Sequence, residues 1–360
     1  MSEPTVSLDT ITSIAKRRGF IFQSSEIYGG LASCWDFGPL GVELKNNVKN
    51  LWWKHVVRMR DDVVGMDSSI LMHPDVWVAS GHVGEFHDML VDCKSCKTRL
   101  REDHLENGKC PRCGGSEFTE PQKFQLMFKT QTGSTESGKT DVWLRPETCQ
   151  GIFVDFKLVQ SASRMKVPFG IAQVGKSFRN EVTTKSFIFR SREFEQMEME
   201  FFVHPDTADE WFEHWREQRF NWYKEALGVR SENLELKPHG AHELAHYAKA
   251  AVDVRYRFPF GWNEIEGIHN RTDFDLKAHQ QLSGKELEYF DQESNTHYIP
   301  WVIETSAGVE RSCLVALIDA CAEDEIGGEK RTVMRFKPEV APVKVAVFPL
   351  QKNPPLQEVA

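Results

Sequence analysis

The sequence predicts an α+β fold in which an antiparallel sheet is flanked by helices. Two observations predict it. Strand-like runs follow one another between residues 168 and 204 and return between 254 and 305. Alternating βα units, the mark of a parallel sheet, are few. The chain has 360 residues, 40% of them hydrophobic, enough for one large core.

Each element has its own justification. In residues 41–57 the apolar Leu44, Val48, Leu51, Trp52 and Val56 recur at helical spacing, and Pro39 just upstream suits a helix start. Residues 63–72 read as a strand leaving a turn. Residues 92–115 are too polar for core and read as a small excursion, and the Gly, Ser and Thr content of 130–141 reads as a surface loop. Between 168 and 204 the order is strand, loop, strand. In the last of these, Met197, Met199, Phe201 and Val203 share one face, leaving Gln196, Glu198 and Glu200 on the other, which we read as an open face. Glu200 is read as a solvated residue of that face. Residues 206–227 look helical, 254–268 and 298–305 look like strands, and 309–321 form a closing helix. The segment APVKVAVFPLQ, from Ala341, looks like the opening strand of a further domain.

Composition narrows the function. Lys plus Arg total 44 against 53 Asp plus Glu, and a net charge of -9 argues against a whole-surface grip on nucleic acid, so any RNA contact is local. No apolar run reaches membrane-spanning length, and the first residues, MSEPTVSLDT, lack the apolar core of a secretory signal. A cytoplasmic protein is expected. In that compartment eight cysteines serve as thiols or metal ligands in preference to disulfides.

Spacing separates those cysteines into two groups. Cys93-x2-Cys96 and Cys110-x2-Cys113 lie thirteen residues apart, and two such turns aim four sulfurs at one point. Unrelated surface turns or a redox couple would share the pattern, but ribbon-like spacing favours zinc. Four cysteine ligands leave no open position, so the Zn²⁺ would be structural. Cys34, Cys149, Cys313 and Cys321 are scattered and read as buried free thiols.

The other chemical signal is the stretch from Phe178 to Phe194. It carries Arg179, Arg190 and Arg192 with Glu181 and Glu193 on an otherwise apolar hairpin. Arginines gather where phosphate is held bidentately, although salt-bridged surface charge gives the same composition.

That hairpin, SFRNE followed by FIFRSREFEQMEMEFF, resembles motif 2 of the class II aminoacyl-tRNA synthetases, in the form found in dimeric glycyl-tRNA synthetases. The resemblance continues through IYGGLASCWDFGPLGVELKNNVKNLWW, WVASGHVGEFHD, LRPETCQGIF, HYAKAAVDVRYRFPFGWNEIEGIHNRTDFDLKAH and ETSAGVERSCLVAL, so it covers nearly the whole chain. It implies an enzyme that makes glycyl-adenylate and pyrophosphate from glycine and ATP, then transfers glycine to the 3′-terminal adenosine of tRNA(Gly). A ligase that directs the same adenylate to another acceptor, or an accessory subunit on this fold, would share parts of the pattern. Retained Arg179, Glu181 and Arg311 disfavour the accessory subunit.

The resemblance also assigns residues. Arg179 would bind the α-phosphate of ATP, Phe194 would lie against adenine, and Arg311 would cover the other face and approach the γ-phosphate, with Glu181 beside them as the third catalytic group. Asn180, Phe189, Arg190, Ser191, Arg192, Glu193, Glu264, Ile265 and Gly308 complete the implied ATP set. Mg²⁺ prefers a few carboxylates plus substrate phosphates, for which Glu264 or Glu304 would serve. Glycine has an ammonium, a carboxylate and no side chain, so its site must present anions and exclude bulk. The implied residues are Arg101, Glu147, Phe194, Glu195, Gln196, Met197, Glu198, Glu304 and Ser306. The segment around Pro39 resembles motif 1 and implies a homodimer.

The family usually reads EPS where this chain has Glu304-Thr305-Ser306, so a proline-fixed turn should be missing and the loop ahead of the glycine site loosened. The expected organisation is a catalytic domain over 1–340, with a zinc-binding insertion at 92–115 and a helical insertion at 204–255. Residues 341–360 would begin an α/β anticodon-binding domain.

Overall fold

The computed structural model describes residues 6–359 apart from 136–137, 183–185, 241 and 246. Its centre is a seven-stranded sheet. In chain order the strands are β1 (Val63–Gly65), β2 (Phe169–Phe178), β3 (Glu193–Val203), β4 (Leu234–Pro238), β5 (Ala250–Phe258), β6 (Gly261–Thr272) and β7 (Trp301–Gly308). Across the sheet the order is β4-β5-β6-β7-β3-β2-β1, antiparallel except for the parallel β1–β2 edge.

Five helices cover it: α1 (Pro39–Trp53), α2 (Cys149–Ser163), α3 (Ala208–Asn221), α4 (Phe274–Ser283) and α5 (Val309–Ala320). α1 begins at Pro39, where a missing N–H goes unfelt, and buries Leu44, Val48, Leu51 and Trp52. Its first turn rests on the backbone of Phe20. A Cβ on Gly41 would sit 1.8 Å from the Phe20 carbonyl oxygen, so only glycine allows that approach.

β3 organises the two layers. Met197, Met199, Phe201 and Val203 enter the larger core, which also holds buried residues of α1, α3 and α5. The opposite face is not open. Glu200 is 0% exposed and Glu198 1%, because α2 and α4 lie over that side with Phe156, Phe169 and Phe202 packed between. Alternation separates two faces of a strand but does not say what covers each. The reading of Glu200 as solvated is therefore overturned.

Other expectations change in detail. Within 130–141 the chain forms a hairpin, Lys129–Thr132 against Thr140–Trp143; Glu136 and Ser137 of this interval lie outside the described residues. Threonine-rich edges suit exposed strands as well as loops. The interval 204–255 is helical in its first half, through a π-helical turn at Trp222–Leu227 and a single 3₁₀ turn at Ser231–Asn233; beyond these β4 and β5 join the central sheet. Residues 341–351 form no strand; Asn47 of α1 donates to the Ala341 carbonyl at 3.0 Å at their start. Val345 and Phe348 are exposed, and the chain then forms a short helix, Pro354–Val359. No described helix is long and apolar enough to cross a membrane.

Candidate active site

The β2–β3 hairpin is clamped at its mouth by the Arg179 N–H donating to the Arg192 carbonyl at 2.9 Å. Thr183, Thr184 and Lys185 of its loop lie outside the described residues. The Arg179 guanidinium stands 5.5 Å from the Phe86 ring and 5.4 Å from that of Phe194, with Nε donating to the Pro146 carbonyl at 3.0 Å. Facing it, on the first turn of α5, Arg311 lies 4.5 Å over the Phe189 ring and donates to Glu264 Oε1 at 3.1 Å. Between them is a cavity of about 290 Å³. Glu181, Phe189, Arg190, Ser191, Phe194, Glu264 and Gly308 also line it, and Arg190 is oriented by Glu181 at 3.2 Å.

Four residues of the expected ATP set stand elsewhere. The Asn180 N–H bonds the Leu126 carbonyl, and Arg192 donates to the carbonyls of Ala32 and Glu181. Glu193 pairs outward with Lys176. Ile265 is wholly buried in the core, on the other side of β6 from Glu264.

Next to the cavity, on the covered face of the sheet, is an anionic cluster. Glu198 accepts hydrogen bonds from Thr148 N at 3.0 Å, from Thr148 Oγ1, from Gln196 Nε2 at 2.8 Å and from Ser306 Oγ at 2.6 Å. Glu304 accepts from Arg271 Nη1 at 2.8 Å, and His269 Nδ1 lies 3.1 Å away in an ion-pair contact. Glu147 accepts from Cys149 Sγ and Gln150 Nε2, both at 3.0 Å, and faces His82 at 3.4 Å.

Burial and charge tune these acids apart. Burial pushes Glu198 up to about 7, helped by repulsion from Glu304 and Glu147. Burial also works on Glu304, but Arg271 and His269 outweigh it and draw the carboxyl down to about 2. His82 likewise overcomes burial at Glu147 and holds it below the usual range. The floor is thus a set of buried acids, two of which remain anionic.

The glycine set divides along the period of β3. Phe194, Gln196 and Glu198 share the site face with Ser306, whereas Glu195 and Met197 point the other way. Glu195 pairs with Lys45 and Lys49, and Met197 is core. Arg101 sits in the small three-stranded sheet beside the cysteine turns, pairing with Asp103 at 2.7 Å and Asp88 at 3.3 Å, outside the cavity. Glu304-Thr305-Ser306 is the middle of β7, hydrogen-bonded on both sides, so the missing proline loosens nothing. Glu304, engaged by Arg271, is no free metal ligand. Glu264 is likewise engaged, by Arg311 at 3.1 Å, but it is the more exposed of the two and lines the cavity.

Residue reasoning missed Arg271, His269 and Thr148. The signal was in hand, for GIHNRTDF and LRPETCQ hold them. Arg271 is the main counterion, giving Nη1 to Glu304 and both remaining nitrogens to Asp275 at 2.8 and 3.0 Å.

The four cysteines of the ribbon do converge. Their sulfurs lie within 4.8 Å of one another, with Cys93–Cys113 at 3.6 Å and Cys96–Cys110 at 3.7 Å. A tetrahedron with Zn–S bonds of about 2.3 Å has edges of about 3.8 Å, so the set fits zinc. Positive φ at Lys97 and Gly114 folds each knuckle back on its first cysteine.

Comparison with known proteins agrees with this architecture. The family model of the tRNA synthetase class II core domain (G, H, P, S and T) matches residues 128–320. A glycine–tRNA ligase of Borrelia hermsii is 54% identical over 99% of this chain and 81% of its own length, and one of Treponema denticola 53% identical over 100% and 82%. The glycine–tRNA ligase of Caldanaerobacter subterraneus subsp. tengcongensis is 52% identical over 97% and 81%. The solved structure titled Giardia lamblia prolyl-tRNA synthetase in complex with prolyl-adenylate superposes with a TM-score of 0.64. It covers 94% of this chain and 56% of that one, and at 13% identity the likeness is one of fold. On the core model and on relatives more than half identical along nearly its whole length, the chain belongs to the glycine–tRNA ligases of the class II synthetase family.

Proposed function

We propose that the protein condenses glycine with ATP into glycyl-adenylate and pyrophosphate and then passes glycine to the 3′-terminal adenosine of tRNA(Gly). The observation that carries this reading is the junction of two unlike sites: arginines across a cavity, and buried anions at its floor. Glycine's ammonium would meet Glu198, Glu304 and Ser306, with Glu147 adding negative potential. Gln196 and Thr148 hold Glu198 still.

With the ammonium anchored, the glycine carboxylate points toward the arginine cavity and attacks the α-phosphorus as pyrophosphate leaves. Arg179 would stabilise charge growing on the α-phosphoryl oxygens, and Arg311 would hold the far phosphates. Phe194 offers its ring to adenine. Glu181 keeps Arg190 aimed at the cavity. Glu264 could hold Mg²⁺, which would neutralise phosphate charge. No side-chain base is needed for transfer to the ribose hydroxyl, since positioning supplies most of that step.

The four-cysteine set would hold a structural zinc. Residues from Pro39 along α1 support a homodimer through their resemblance to motif 1, and eight cysteines without a disulfide accord with a cytoplasmic setting. Residues 92–115 are the zinc insertion of a catalytic domain spanning 1–340, and 341–360 lead toward an anticodon-binding domain. The test is glycine-dependent exchange of pyrophosphate into ATP by the full chain, followed by charging of tRNA(Gly). Absence of exchange sinks the reading; exchange without charging redirects the adenylate to another acceptor.

A further inference from the structure

Glu200 lies beneath the glycine site, and no step of the proposed reaction uses it. We infer that its side chain is an uncharged carboxylic acid that positions Glu304 from below for glycine's ammonium. The positioning role rests on the proposed glycine site; the uncharged state does not.

Glu200 lacks the partners an anion would need. It is 0% exposed, and neither carboxylate oxygen meets a hydrogen-bond donor among the described residues. Its neighbours are treated differently: Glu198 accepts from Thr148, Gln196 and Ser306, and Glu304 from Arg271. An anion removed from water without a donor is far costlier than the same group holding a proton.

The charged surroundings point the same way. Glu304, directly opposite in the β3–β7 register, is anionic. Glu198 stands two residues back on β3 and Asp275 projects from α4, both carboxyls. Arg271 on β6 is the one cation acting on Glu200 among its main influences, and its hydrogen bonds go to Glu304 and Asp275. Burial first, and repulsion from Glu304 second, move Glu200 well above the usual carboxylate range.

A cation could in principle replace the proton, since ligand atoms of Cys149, Glu200 and Glu304 lie within 4.8 Å of one another. Two of the three are already committed. Burial keeps the Cys149 thiol protonated, and it donates to Glu147 at 3.0 Å; Glu304 holds Arg271. A proton needs only Glu200 itself.

The consequence is functional. A fourth anion here would compete for Arg271 and drive Glu198 and Glu304 apart. A neutral acid instead offers one O–H toward Glu304, bracing that carboxylate from below while Arg271 holds it from the side. The proton stays in place through the reaction.

Infrared difference spectra of the full chain, wild type against Glu200→Gln, test the protonation directly. At mildly alkaline pH the wild type should show the carbonyl stretch of a protonated carboxyl, with and without glycine, and the variant should lose it. In pyrophosphate exchange, Glu200→Gln should keep the glycine KM within about twofold and leave the acid limb of kcat/KM for glycine unmoved. Glu200→Leu keeps bulk but no donor, and should raise the glycine KM about tenfold with the ATP KM steady. The idea is overturned if the band is absent, if Glu200→Gln moves the acid limb down by about a unit as loss of a neighbouring anion would, or if the wild type binds a metal beyond the ribbon's that the variant loses. An unchanged glycine KM in Glu200→Leu removes the positioning role. Should the wild type fail to exchange at all, the glycine reading falls, and the band still decides the charge of Glu200.

Discussion

Arg179 is oriented before any nucleotide arrives. Two rings flank it and one Nε bond to a carbonyl fixes its plane, while its two terminal nitrogens make no hydrogen bond among the described residues. Free donors on a fixed plane are what a developing phosphoryl charge requires. Arg179→Ala should therefore slow glycine-dependent exchange by about 10²–10³-fold, with the far-ultraviolet circular dichroism unchanged; a loss under tenfold would remove Arg179 from the chemistry. Glu198 gives the pH dependence. Its carboxyl sits at about 7 because of burial and two neighbouring acids, and only its charged form attracts an ammonium. As pH falls below about 7 the proton returns, so kcat/KM for glycine should drop about tenfold per unit and level off above 7. A profile flat down to pH 5.5 would show that some other group holds the ammonium.

At the scale of elements, the sequence is most legible where spacing is itself the chemistry. The cysteine knuckles converge because a CxxC turn has little freedom, and the arginine hairpin closes where its strands pair. β3 is half legible. Alternation sorts Met197 to Val203, and the same period carried back assigns Glu195 to the opposite face from Glu198, against the grouping that the resemblance implies. Glu200 is illegible for another reason: whether a polar face meets water depends on α2 and α4, elements distant in sequence. The ribbon supports a prediction of its own. Cys93→Ser should lower zinc from about one per chain toward zero and open 92–115 to proteolysis, since structural zinc and local fold are bound together. Unchanged zinc content would end the four-cysteine assignment.

In the whole molecule, the sheet is covered on both sides, and the two sides do different work. One holds the main core and the other the charged site, joined through the same backbone. This division explains why β4 and the first residues of β5 escape a sequence reading of 204–255: they follow a helix in sequence but are claimed by the sheet's far edge in space. It also makes a separation of stability from recognition testable. Met199 is fully buried on the core side, and its sulfur would lie only 2.9 Å from a Cβ added to Gly170, so the space around it is filled and has little room to collapse. Met199→Ala should cost about 2–5 kcal/mol of unfolding free energy, measured in denaturant. The site side should barely respond, because β3 is pinned along its length by β2 and β7, and Glu198 is held by donors from three separate segments. The glycine KM should then stay within about twofold at temperatures where the variant is folded. A tenfold rise in that KM would mean that core packing sets the geometry of the carboxylates through the strand, and that the two faces cannot be altered independently.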